Sequence, residues 1–89
     1  MLEQIFSSVA RTKILKLFCV HAQEKFFIRE LARRLDLQLN SIRRELSNLE
    51  DFGILTSEES QGKKYYFTNL DFALFPEIKN LVFKSLALE

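Results

Sequence analysis

The sequence is poor in the residues that most site chemistry depends on. One cysteine, Cys19, stands among 89 residues, so an internal disulfide and a cysteine metal cluster are both excluded. The single histidine, His21, lies two residues on. A lone C-x-H pair falls short of a zinc ligand set, and a buried structural thiol is the expectation. As a catalytic dyad the pair has no candidate orienting acid beyond Glu24. Two glycines, Gly53 and Gly62, cannot build a glycine-rich phosphate loop. Catalysis, a bound metal and a cofactor are therefore not expected. No apolar run approaches the roughly 18 residues of a membrane span. Glu3 and Gln4 interrupt the start where a signal peptide would carry an apolar block. These absences predict a soluble, cytoplasmic protein without a membrane partner.

What is present is a globular balance: 47% hydrophobic and 28% charged residues, with nine Phe and no Trp. The length suits one modest core, so residues 1–89 are expected to form a single domain. A net charge of only +1 does not announce a nucleic-acid partner, and any such argument must rest on where the charges sit.

Leu2, Ile5, Phe6 and Val9 open a helical pattern that Ser7-Ser8 interrupts with a capping residue. Ala10, Ile14, Leu17 and Phe18 continue one helix face to about Val20. A polar loop, 21–25, precedes Phe26-Phe27-Ile28, which has strand character. Ile28, Leu31, Ala32 and Leu35 form the inner stripe of a short helix, and Asp36-Leu37-Gln38 can only be a tight turn. The next helix spans about Leu39 to Glu50 on Ile42, Leu46 and Leu49, with Gly53 to stop it. Segments 54–58 and 64–68 read as strands joined by a loop over 59–63, where Gly62 can take a positive φ. Pro76 suits the first turn of a last helix running to Leu88. The order is helix, turn, helix, hairpin wing: an α+β, mainly α, winged helix-turn-helix with a two-stranded wing.

On a 100° wheel, Asn40, Ser41, Arg44, Ser47 and Asn48 project away from the apolar stripe of 39–50, with Arg43 on one flank and Glu45 on the other. Asn suits adenine edges, Arg guanine, and Ser either a base or a phosphate. Five arginines between Arg29 and Arg44 meet only Glu30 and Asp36 as local acids, and Lys63 and Lys64 add charge at the wing. The candidate contacts to double-stranded DNA are Arg33, Gln38, Asn40, Ser41, Arg43, Arg44, Ser47, Lys63 and Lys64. An ordinary solvated helix face competes with this reading for the arginines, and a solubilising hairpin tip for the lysines.

The stretches Arg29-Glu30-Leu31-Ala32-Arg33-Arg34-Leu35, Ser41-Ile42-Arg43-Arg44-Glu45-Leu46 and Leu49 with Phe52-Gly53-Ile54-Leu55 resemble the ArsR-type winged-helix regulators. Ser8 to Leu15 is similar to that family's opening helix, and Lys63 to Phe67 to its second wing strand. Phe75-Pro76-Glu77-Ile78-Lys79 resembles the form found beside nucleotidyltransferase-like domains. The resemblance implies a DNA-binding transcriptional regulator, with repression the expected mode, and a dimer built largely from terminal helices. Two departures stand out: Asp36 replaces a frequent turn glycine, and Glu45 a frequent histidine. The family's metal sensors place Cys or Asp/His sets on helices that here carry no Cys or His, so that role is not carried over.

The last helix is apolar over more of its circumference than one core contact needs, which calls for a second surface. The expected homodimer interface is Leu2, Ile5, Phe6, Ile78, Leu81, Val82, Phe83 and Leu86. Two other readings stay open. One is a winged-helix protein-interaction module, which should show apolar anchors on the outward face of 39–50. The other is the DNA-binding subunit of a two-component system with a separate enzyme partner.

Overall fold

The computed structural model of the chain describes residues 8–88, with side chains described as far as Lys84. Helix α1 (Val9–Val20) starts at Ser8, whose hydroxyl accepts the Arg11 N–H at 3.2 Å, the capping geometry the sequence predicted. Strand β1 (Phe26–Phe27) leads directly into α2 (Ile28–Leu35). There Glu30 reaches back to accept the Phe27 N–H at 3.4 Å. Asp36 closes α2 in the left-handed region at φ 54°, with its N–H donating to the Ala32 carbonyl. Three residues later α3 (Leu39–Phe52) begins, two residues longer at its end than the sequence suggested. Gly53, at φ 101°, stops it and donates to the carbonyls of Leu49 and Glu50.

Strands β2 (Leu55–Ser60) and β3 (Lys63–Thr68) form the wing, and helix α4 (Phe75–Leu88) follows. The wing is tighter than expected. Its turn is only Gln61-Gly62, both at positive φ (53° and 78°), the backbone that matches strand twist in a two-residue hairpin. The sheet has three strands in the order β1-β3-β2, all antiparallel, because Phe26 and Phe27 pair with Tyr66 and Tyr65. That third strand enlarges the two-stranded wing expected from sequence. It fastens the wing to the start of α2.

One apolar cluster joins α1 (Ile14, Leu15, Phe18), α2 (Leu31), α3 (Ile42, Leu46, Leu49), the sheet (Phe26, Leu55, Tyr66) and α4 (Phe75, Ile78, Val82). Phe18 and Phe26 meet edge to face, 5.4 Å between centroids. The buried Thr68 hydroxyl donates to the Phe18 carbonyl at 3.1 Å, so the end of the wing is satisfied against α1.

This core corrects the interface expected from sequence. Ile78 and Val82 are buried in the chain's own interior, at 2% and 0% exposure, and offer nothing to a second molecule. Much of the surplus apolar surface of the last helix is thus consumed by α1 and its neighbours. Leu81 is half-buried and Phe83 is 39% exposed, so these two stay on the surface. Leu2, Ile5 and Phe6 lie outside the described residues, as does the side chain of Leu86.

Cys19 is a core residue, as its sequence context suggested. Burial pushes its thiol up to about 11, against a smaller opposing pull from the Lys79 ammonium. His21 points elsewhere, its Nδ1 paired with Glu24. At pH 8 the folded chain should expose roughly a hundredfold less thiolate than an ordinary thiol and resist iodoacetamide, with rapid labelling only on unfolding. The stability linked to the neutral thiol is intact below pH 9 and declines as pH rises toward 11, which pH-dependent denaturation checks.

Val82→Asp should abolish the cooperative thermal transition by circular dichroism, because it buries an unpaired charge. Phe83→Asp, on the surface, should keep a cooperative melt, lowered only by the stability that association contributes. Equal damage from both would contradict the division between core and surface on α4.

Candidate nucleic-acid interface

Helix α3 separates its two faces sharply. Ile42, Glu45, Leu46 and Leu49 are buried against the body of the fold, while Asn40, Arg43, Arg44, Ser47 and Asn48 are exposed. Gln38, just before the helix, is exposed as well, and Ser41 is half-buried on the flank. No aromatic or aliphatic anchor interrupts the outward face before Phe52 at its end. Asp51 is exposed there too, which leaves the N-terminal half of α3 the favourable half for an anion.

Glu45 is a correction to the sequence reading. The wheel places it on a flank of the outward face, opposite Arg43, yet only 4% of its side chain is accessible. It is paired with Arg11 of α1 through Arg11 Nε to Glu45 Oε2 at 2.5 Å. Periodicity could not reveal this, because the partner lies 34 residues earlier.

Helix α2 and the wing frame the positive charge. A cleft of about 350 Å³ opens between the start of α2, α3 and the wing, with Arg29, Arg43, Lys63 and Lys64 around Phe27 and Gly62. A neighbouring cleft of about 450 Å³ lies between Arg29, Arg33 and Leu39. Arg29 lines both. The sequence reading counted its charge without assigning it a site. The signal was available, since Arg29 and Arg33 are four residues apart and share one helix face.

The two wing lysines rest on different rings. Adjacent strand residues point to opposite faces. The Lys63 ammonium lies over the Phe27 ring, 4.7 Å from its centroid, on the side of the arginine cleft. The Lys64 ammonium lies over Tyr66 at 5.4 Å. Its pKa is raised by the Tyr66 charge and hydrogen bond first, then by Glu50 and Glu59. Glu50 in turn accepts the Ser57 hydroxyl at 2.5 Å, which ties the end of α3 to β2. The structure therefore gathers Arg29, Arg33, Arg43 and Lys63 beside the outward face of α3, with Lys64 at the edge of the same cleft and opposite Glu59 on the neighbouring strand.

No protein-family model matches the sequence, and no curated protein matches it. Solved structures do. The AntR antimony-specific transcriptional repressor superposes with a TM-score of 0.76 at 17% identity, over 98% of this chain and 72% of that one. A predicted DNA-binding transcriptional regulator from E. coli gives 0.70 at 17% identity, over 99% and 85%. Reduced HlyU from Vibrio cholerae gives 0.70 at 20% identity, over 98% and 83%. The chain has the winged helix-turn-helix fold, as its order of elements predicted. Among the described residues, no helix is long and apolar enough to cross a membrane.

Proposed function

We propose that the chain is a cytoplasmic, sequence-specific regulator of transcription that binds double-stranded DNA as a homodimer, with 1–89 as its single DNA-binding unit. The observation that carries this reading is the outward face of α3, whose exposed residues from Asn40 to Asn48 are all polar or basic and lie beside the arginine clefts. A protein-interaction module would present apolar anchors there. The regulators that share the fold are consistent with the same reading, and AntR, a repressor, supports repression as the mode.

In this reading α3 enters the major groove by its N-terminal half, with Gln38, Asn40, Arg44 and Ser47 toward base edges. Ser41, on the flank, meets the backbone. Arg29, Arg33, Arg43 and Lys63 grip phosphates on either side, where they fix register without reading sequence. Lys64, which faces Glu59 across the hairpin, contributes less. The dimer uses the half-buried Leu81 and the exposed Phe83, with Leu2, Ile5, Phe6 and Leu86 as further candidates.

Two-fold symmetry then requires a pseudo-palindromic site with half-site centres about 34–36 Å apart. Selection of bound duplexes from a random library should return such a dyad, and selected sites without one would contradict the dimer. Light scattering should give twice the 10.5 kDa chain mass.

Arg44→Ala should cost roughly 1–3 kcal/mol on the preferred duplex and relax one base position per half-site, with little effect on a scrambled duplex. Arg29→Ala and Lys63→Ala should weaken both duplexes equally and flatten the salt dependence by about one unit for each phosphate-binding cation removed. Lys64→Ala should do less of the same. If Arg44→Ala lowers both affinities by one factor, α3 is not reading bases. If no variant alters binding to any duplex, the protein-interaction reading takes its place.

A further inference from the structure

The pair of Arg11 and Glu45 joins the opening helix to the helix assigned to base reading, and it does so with a buried carboxylate. Glu45 side-chain exposure is 4% and that of Arg11 is 21%, whereas both partners of the Lys25–Glu58 pair are about half exposed. Burying an ion pair costs more desolvation than an apolar contact of equal size, so its stabilising value is small. Its geometry is more informative.

Oε2 of Glu45 takes Arg11 Nε at 2.5 Å, and Oε1 takes Arg11 Nη2 at 3.5 Å. The same Oε1 accepts the Asn48 amide at 3.4 Å and lies 3.8 Å from Arg44 Nε. One carboxylate beneath the surface thus accepts a hydrogen bond from Asn48, lies near the Arg44 guanidinium and is itself tied to α1 through Arg11. We propose that Glu45 is a specificity-determining positioning residue, which never meets DNA but fixes Arg44 and Asn48 in the orientation that reads bases. This rests on the assignment of α3 to base reading made above.

Two physical effects support it. Arg44 is 70% exposed, and a long side chain on an open helix face has much rotamer freedom to lose on binding. A carboxylate near Nε narrows that swing in advance and leaves the two terminal amino groups for a guanine O6 and N7. The Arg11 guanidinium balances the carboxylate, so the pair adds no sequence-independent pull on phosphate and its effect falls on docking in register.

The test compares wild type, Glu45→Gln and Arg11→Gln/Glu45→Gln on the preferred and a scrambled duplex, with thermal melts of each. Glutamine keeps the shape and the acceptor for Asn48 but removes the charge. Binding to the scrambled duplex should be unchanged or tighter, and binding to the preferred duplex weaker. The ratio of the two affinities should fall at least about fivefold, the low end of what one bidentate base contact is worth. The lost preference should fall on the base pair that Arg44→Ala also relaxes, and Arg44→Ala/Glu45→Gln should lower the ratio no further than Arg44→Ala. If Glu45→Gln does not fold, the double amide variant, with no buried charge left unpaired, supplies the same comparison.

A purely structural role would lower both affinities by one factor and leave the ratio intact; that result overturns the proposal. A wild type that binds both duplexes equally removes instead the base-reading assignment of α3, and this inference with it. A wild type that discriminates beside variants that discriminate equally well defeats the positioning role alone.

Discussion

The opening helix, the short helix before the turn and the first wing strand are all placed by the buried face of α3. Ile42, Leu46 and Leu49 meet α1, α2 and β2 at once, so one helix stripe fixes the opening helix, the turn before α3 and the root of the wing. A helix so held on one side must carry all its freedom to interact on the other. The outward face can then consist of polar residues, because stability does not depend on them. The same constraint explains the caps. Asp36 and Gly53 both take positive φ at the two ends of the turn–helix unit, which fixes where α3 begins and stops relative to α2 and the sheet. A Cβ on Gly53 would stand 3.2 Å from the Phe72 ring, so the position is tight as well as left-handed.

Much of this was legible because it is local. The Ser8 cap, the turn at Asp36, the glycine stop and the proline start of α4 are short-range rules, and each recurs in the structure. The exposed face of α3 followed from periodicity alone. What failed depends on tertiary partners. Glu45 looks like a flank residue until Arg11, on another helix, is brought beneath it. Ile78 and Val82 looked like surplus because a wheel shows which faces are apolar and not how many neighbours a small core demands. The pairing of Phe26 and Phe27 with β3 joins strands about 40 residues apart, and Arg29 joins the site only because that pairing brings the wing beside α2.

The charge pattern resolves the near-neutral total. Positive side chains of α2, α3 and the wing converge on adjoining clefts, while Glu50 is occupied by Ser57 and flanked by Lys64. Aromatic rings then hold some cations in place: Lys63 over Phe27, and Arg34 over Phe26 at 5.3 Å. A charge already ordered on a ring loses less entropy on meeting a phosphate than a free lysine does. A protein of this kind needs little net charge, because the local field at the face that docks governs encounter, and a modest total limits indiscriminate attachment.

The Arg11–Glu45 pair adds direction to this arrangement. Arg11 belongs to α1, which packs on α4, the helix that carries the exposed Phe83. In the proposed dimer the terminal helices meet a second copy, so any shift of α1 on assembly is delivered to the middle of α3 through an ion pair with two hydrogen bonds. An apolar contact in the same place would tolerate sliding, since the hydrophobic effect has no preferred direction. A charge-assisted pair tolerates very little, because both its energy and the cost of leaving a buried partner unpaired rise steeply with displacement. In that proposed dimer the orientation of α3 depends on assembly as much as on the single chain. That accounts for why a buried charge is placed where a leucine would have packed with less desolvation.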